Sequence, residues 1–229
     1  KEDKIKIIHV DEIGGYKNGQ LLVGENKINC DKVVNCNYRN GITPVTDIKL
    51  EINEDGFLQT DDNLQTNAAR IYAIGDVNGK SYLAHAASAQ GIWLINHLKG
   101  IKNTLNMKLY PLNIYTSPEI AQIGMSEAEI KEEGYEYKIN EFPLTANGKS
   151  LTEGNSDGLL RLLSETKYGQ VLGVQIIAEH ATDMIAEASA YMQLEGTVYD
   201  IAQTIHAHPT VSEIFMEAGF DAVDQAIHK

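Results

Sequence analysis

Positive charge is scarce in this chain. Nineteen lysines and arginines stand against 32 aspartates and glutamates, a formal net charge of −13. Nucleic acid and anionic membrane surfaces are repelled at long range by such a balance, so neither is expected as a partner. Long apolar runs are missing too. No stretch of about 18 apolar residues occurs, and no apolar segment follows a basic start. A membrane span and a signal peptide are therefore not expected, and a cytoplasmic setting is. Cysteine is limited to Cys30 and Cys36, which flank the strand-like Lys32-Val33-Val34. That is not the strand-to-helix turn where a thiolate is stabilised, so both read as ordinary reduced thiols. No Gly-x-Gly-x-x-Gly follows a strand-like run, so the loop that seats a pyrophosphate on a helix N-terminus is lacking. No metal site is expected.

What is present is enough for one sizeable core or two modest ones: 229 residues, 43% of them hydrophobic. The first segment reads as short strands. Ile5, Ile7 and His9 alternate with polar residues, Asn18-Gly19 marks a tight turn, and Leu21 to Val23 and Lys32 to Val34 follow as strands. Arg70 to Asp76 reads as a buried strand ending at a glycine and a carboxylate; Gly75-Asp76 can equally be a turn. Leu83, Ala84, Ala87, Gly91, Leu94, Ile95 and Leu98 share one face of a helix closed by Gly100. From about Met107 strands and helices follow one another as in an α+β domain. Ser126 to Glu129 caps a short helix that stops at Gly134, and residues 147–155 read as a loop. Leu159 to Leu163 and Val171 to Ile177 form a hairpin whose apolar runs call for cover on both faces. Helices are expected around Ala181 to Met192 and Thr197 to Ala202.

The chemistry is concentrated between His206 and Ala218. Pro209 pushes His208 out of the helical region, and Thr210 stands as N-cap of a helix carrying Val211, Ile214, Phe215, Ala218 and Ala222 on its apolar face. Glu213 has two readings. It can complete a Thr-x-x-Glu capping box, or it can hold the His208 ring by one nitrogen and leave the other as a base near neutral pH. His206 and His208 taken singly read as solvated or core histidines.

The segment His206-Ala207-His208-Pro209-Thr210-Val211-Ser212-Glu213 resembles the C-terminal signature of the flavin-dependent disulfide oxidoreductases, in the form found in dihydrolipoamide dehydrogenases. Leu64-Gln65-Thr66 through Ile71 to Val77, Leu83 to Ala87, and Ile114 to Gly124 match the same family in the same order. The resemblance implies the α+β interface domain of such an enzyme at 104–229, preceded by the last strands of an NAD-binding domain at 1–47 and an FAD-contacting segment at 48–103. It implies that Asp76 binds the ribityl chain of FAD, and that Tyr82, Leu83, Ala84 and His85 lie beside the isoalloxazine. It implies a homodimer in which His208, oriented by Glu213, takes a proton from dihydrolipoamide, with NAD as electron acceptor and the lipoyl domains of a multienzyme complex as partners. Departures are local. Tyr38 stands where the pattern has glycine, which removes the close backbone approach that nicotinamide binding uses, and Ala86 stands where lysine is common. The family's Cys-x4-Cys pair and both glycine-rich loops are lacking, so the sequence is expected to be the C-terminal part of a longer, FAD-dependent polypeptide and inactive alone. The first 47 residues are expected to carry unpaired strand edges and to be the least ordered part. An inert dimerisation module, or the same portion of a glutathione or mercuric reductase, are the alternatives.

Overall fold

A computed structural model describes residues 6–10, 13–36, 39–43 and 46–228. The chain divides into two units, 1–40 and 41–229. In the first, β1 (Ile13–Lys17), β2 (Gln20–Val23) and β3 (Asn26–Asn29) form an antiparallel sheet in that order. Asn18 and Gly19 both have positive φ, 55° and 74°, as a two-residue hairpin loop demands. The outer edges of β1 and β3 have no strand neighbour among the described residues. Lys32 to Val34 is not a strand: it has no neighbouring ladder, and the run stays irregular. Residues 6–10 are not a strand either, while Ile5 and Tyr38 lie outside the described residues. Cys30 is half-buried, Cys36 exposed, and both are free.

The second unit starts with an irregular stretch rather than the expected strand at 70–76. Tyr72 makes a single bridge to Gln65, and Gly75–Asn78 winds into a 3-10 turn. With one bridging partner the run cannot extend as a ladder. Helix α1 follows (Ala84–Leu98), ended by Gly100 at φ 66°. Its buried stripe is Ala86, Gln90 and Leu94. Ile92, Ile95 and Leu98, counting on the expected apolar face or beside it, are exposed.

The rest is a five-stranded antiparallel sheet with β4 (Leu112–Ile114), β5 (Glu119–Gly124), β6 (Tyr137–Pro143), β7 (Leu159–Glu165) and β8 (Val171–Ala178), in the order β4-β5-β8-β7-β6. One face is covered by α4 (Ala181–Gln193) on β5 and β8, and by α6 (Glu213–Ala222) on β6 and β7. Between them lie Phe142, Leu160, Leu162, Val174, Ile176, Ile185, Ile214 and Phe215, all essentially without exposure. The other face is covered only at one end, where α2 (Glu127–Glu132) seats Ile130 on Leu163 and Leu172. Elsewhere it carries Arg161 and Gln175, hydrogen-bonded to each other, and the partly exposed Ile120 and Ile177. The expectation of full cover on both faces is thus corrected to cover on one face and one end.

Capping explains where the short helices start. Ser126 and Glu129 make the reciprocal capping box of α2, and Thr197 with Asp200 does the same for α5 (Val198–Gln203). The expected loop at 147–155 contains a helix, α3 (Gly148–Glu153), because Asn147 accepts from Ser150 N and Gly154 turns left-handed behind it. Helix α5 leans on α6. They approach at Gly219, where an added Cβ would sit 2.7 Å from Ala202 N, so the position admits no side chain. No described helix is long and apolar enough to cross a membrane.

Candidate functional site

Two groups of candidate residues are built by different parts of the second unit, and no hydrogen bond joins them among the described residues. The first surrounds Gly75-Asp76. Gly75 is buried with φ 73°, and a Cβ there would stand 3.2 Å from Ala87 Cβ, so the backbone passes tight against α1. Gln90, buried on α1, holds the turn: its Oε1 accepts from Gly75 N at 2.7 Å and from Asn78 Nδ2 at 3.0 Å. Asp76 is thereby fixed, half-buried, at the start of the 3-10 turn. Nothing in the sequence pattern singled out Gln90; a polar residue on the buried stripe of a helix is the signal that could have.

Tyr82 to His85 lead into α1. Leu83 is the N-cap and its side chain makes no cap bond, while Ala84 and His85 are exposed. The orphan N–H groups of a first turn are available to an acceptor under such conditions. His85 Nε2 bonds Pro111 O at 2.8 Å, and the Tyr82 ring lies 5.6 Å from that of Phe57. Small residues, an uncapped helix start and a fixed carboxylate fit a flavin with its hydroxylated chain: N–H groups for ring carbonyls, Asp76 for a hydroxyl.

The second group is the turn before α6. The helix begins at Glu213 with Ser212 as N-cap, so Thr210 is not the cap. Its hydroxyl donates instead to Ala207 O at 2.7 Å. Glu213 combines its two readings. Its Oε2 accepts from Thr210 N at 2.8 Å, and its Oε1 lies 2.9 Å from His208 Nδ1. Burial alone would raise this carboxyl, but the Thr210 N–H and then the His208 ring more than offset it, and its pKa is lowered. With Nδ1 donating to a carboxylate, the neutral ring carries its acceptor lone pair on Nε2; the tautomer is assigned from this bond. The ring itself is 80% exposed while the carboxylate holding it is 17% exposed.

His206, two residues earlier, is held quite differently. Its Nε2 bonds Glu187 Oε1 at 2.7 Å, its Nδ1 bonds Thr204 O at 3.0 Å, and its side chain is only 5% exposed. With both nitrogens engaged it is a structural histidine. The Glu187 bond raises its pKa against the opposing effect of burial. A raised folded value means the pair's stabilisation is complete below the unfolded pKa near 6.5 and is lost as pH rises through the folded value. Urea unfolding midpoints should therefore fall as pH climbs above that range, and Glu187→Gln should flatten the fall; an unchanged slope would contradict it.

The family model for the pyridine nucleotide-disulphide oxidoreductase dimerisation domain matches residues 110–219, and that for the pyridine nucleotide-disulphide oxidoreductases matches 1–91. Dihydrolipoyl dehydrogenase of Haloferax volcanii is 38% identical over 89% of this chain and 44% of its own length. That of Cupriavidus necator is 35% identical over 95% of this chain and 48% of its own. The chain spans about half the length of, or less than, these curated relatives. Among solved structures, LpdA from Mycobacterium tuberculosis matches with a TM-score of 0.84 at 21% identity, over 93% of this chain and 48% of that one. The HOCl-induced flavoprotein disulfide reductase RclA from Escherichia coli matches with 0.79 at 21%, over 90% and 49%.

Proposed function

Because the chain belongs to the pyridine nucleotide-disulphide oxidoreductases, we propose that it is the C-terminal part of a dihydrolipoyl dehydrogenase, supplying the acid/base group and the dimer interface for FAD-dependent oxidation of dihydrolipoamide by NAD+. The observation that carries this is the His208 ring, pinned at Nδ1 by a buried carboxylate and otherwise exposed. A base meant for a group outside its own protomer needs that combination: fixed orientation and an open face. His208 Nε2 takes the proton of one substrate thiol, and the resulting thiolate attacks a disulfide sulfur, breaking the S–S bond and leaving the second sulfur as thiolate. Glu213 balances the charge gained by the ring. Cys30 and Cys36 are free and the second is exposed, so the disulfide is supplied from elsewhere in the polypeptide. FAD, when bound, supplies the two-electron relay from the reduced sulfur pair to NAD+; Asp76 and the start of α1 hold it.

The partner is a second copy, as the dimerisation-domain match supports. Ile205, 96% exposed beside the base, fits burial against that copy. Lipoyl domains of a multienzyme complex would then present the substrate. The test is an assay of the full-length polypeptide bearing these residues. NAD+-linked turnover of dihydrolipoamide is expected, with a flavin absorbance band; reduction of glutathione disulfide in its place would overturn the substrate assignment.

A further inference from the structure

The arrangement at His208 is repeated one helical turn on. His228 Nδ1 lies 2.5 Å from Glu217 Oε1, and here too the imidazole is outside, 65% exposed, and the carboxylate inside, 6% exposed. The chain reverses after α6 to make this possible: Asp224 turns left-handed at φ 60° and Gln225 N returns to Phe220 O at 2.8 Å. Glu217 Oε2 is buried and has no hydrogen-bond partner. Both carboxylates and both imidazoles line one cavity of about 290 Å³, whose other walls include Phe142, Ala146 and Met216. A half-satisfied carboxylate in such walls is costly to keep.

We infer that Glu217, with His228 on its outer oxygen, is a positioning residue for the His208 base, adding a second buried negative charge behind Glu213 that favours the protonated ring. The inference rests on the reading of His208 as a base. Glu213 and Glu217 are four residues apart on one helix and so stand on the same face. Across a cavity with apolar walls a charge is screened less than through water. The other charges nearby are already engaged. His206 is bonded to Glu187, Lys149 of α3 pairs with Glu153, and Asp221, one turn on, accepts from Asn140. Lys138 of β6 and Asp224 line a different cavity. That leaves the two imidazoles to answer the two carboxylates, with His228 at the rim setting how much of the Glu217 charge reaches His208.

The seven histidines give seven ring signals, which single variants assign. In Glu217→Gln, which keeps the shape and an acceptor for His228, the pH midpoint of the His208 ring signal should move down by about half a unit or more. In His228→Asn, which keeps a donor to Glu217 and removes the ionisable ring, it should move up. A Glu217 that only clamps the C-terminal turn would leave the His208 titration in place in both variants, and that result overturns the inference. Should Glu217→Gln fail to fold, as judged by amide dispersion, the exposed His228→Asn variant decides alone. The ring titration is independent of turnover, so a still midpoint alongside lost dithiol oxidation in a His208 variant would remove the Glu217 role and leave the base reading standing.

Discussion

Exchanging His208 for glutamine in the full-length polypeptide lowers the rate of dihydrolipoamide oxidation by roughly 10²–10⁴-fold, the usual contribution of a positioned general base. Glutamine retains a donor for Glu213 and much of the ring's reach, so loss of fold is not the cause. What it lacks is the Nε2 lone pair that the Nδ1–Glu213 bond at 2.9 Å leaves available. The loss should shrink at alkaline pH, where substrate thiols ionise without help. Transfer from NADH to an artificial dye bypasses the thiol and should stay near the parent rate. Equal loss in both assays would place the residue in flavin binding or folding instead. No loss in either would remove it from the mechanism.

The largest stability effect is expected at Phe215. It follows Glu213 by two residues on α6, has no exposed surface, and sits in the cluster between helix and sheet. Phe215→Ala should cost about 3–5 kcal/mol, combining lost transfer energy with the cavity left behind. That is a large share of the roughly 5–15 kcal/mol by which domains are stable. Leu151→Ala is the matched control, since that side chain is 56% exposed and should cost no more than about 0.5 kcal/mol. Urea unfolding of the two variants should differ accordingly. If they unfold together, α6 is not anchored through Phe215.

The elements that the sequence made legible are those whose signal is local. Ser126-x-x-Glu129 is a complete capping box within four residues, and the apolar spacing from Ala181 to Met192 finds its helix without reference to the rest of the fold. Hairpins declared themselves in the same way at Asn18-Gly19. The errors fall where a partner decides. Lys32 to Val34 has strand-forming residues and no strand to pair with, and Arg70 to Asp76 finds a single bridge. At 147–155 the cap residues Asn147 and Gly154 read as loop formers because both types serve either purpose. In the site, His208 and Glu213 are five residues apart and could be paired on paper. Glu187 with His206, and Gln90 with Gly75, are 19 and 15 residues apart and meet only through the fold.

Glu213 uses both of its oxygens at once, one for a backbone N–H and one for an imidazole, and it is also the first residue of α6. Fraying of that single turn therefore disconnects the ring's anchor while the sheet beneath stays intact. Heat would silence such a protein before it melts it, and an aspartate in this place, one methylene short, would have to choose between its two duties.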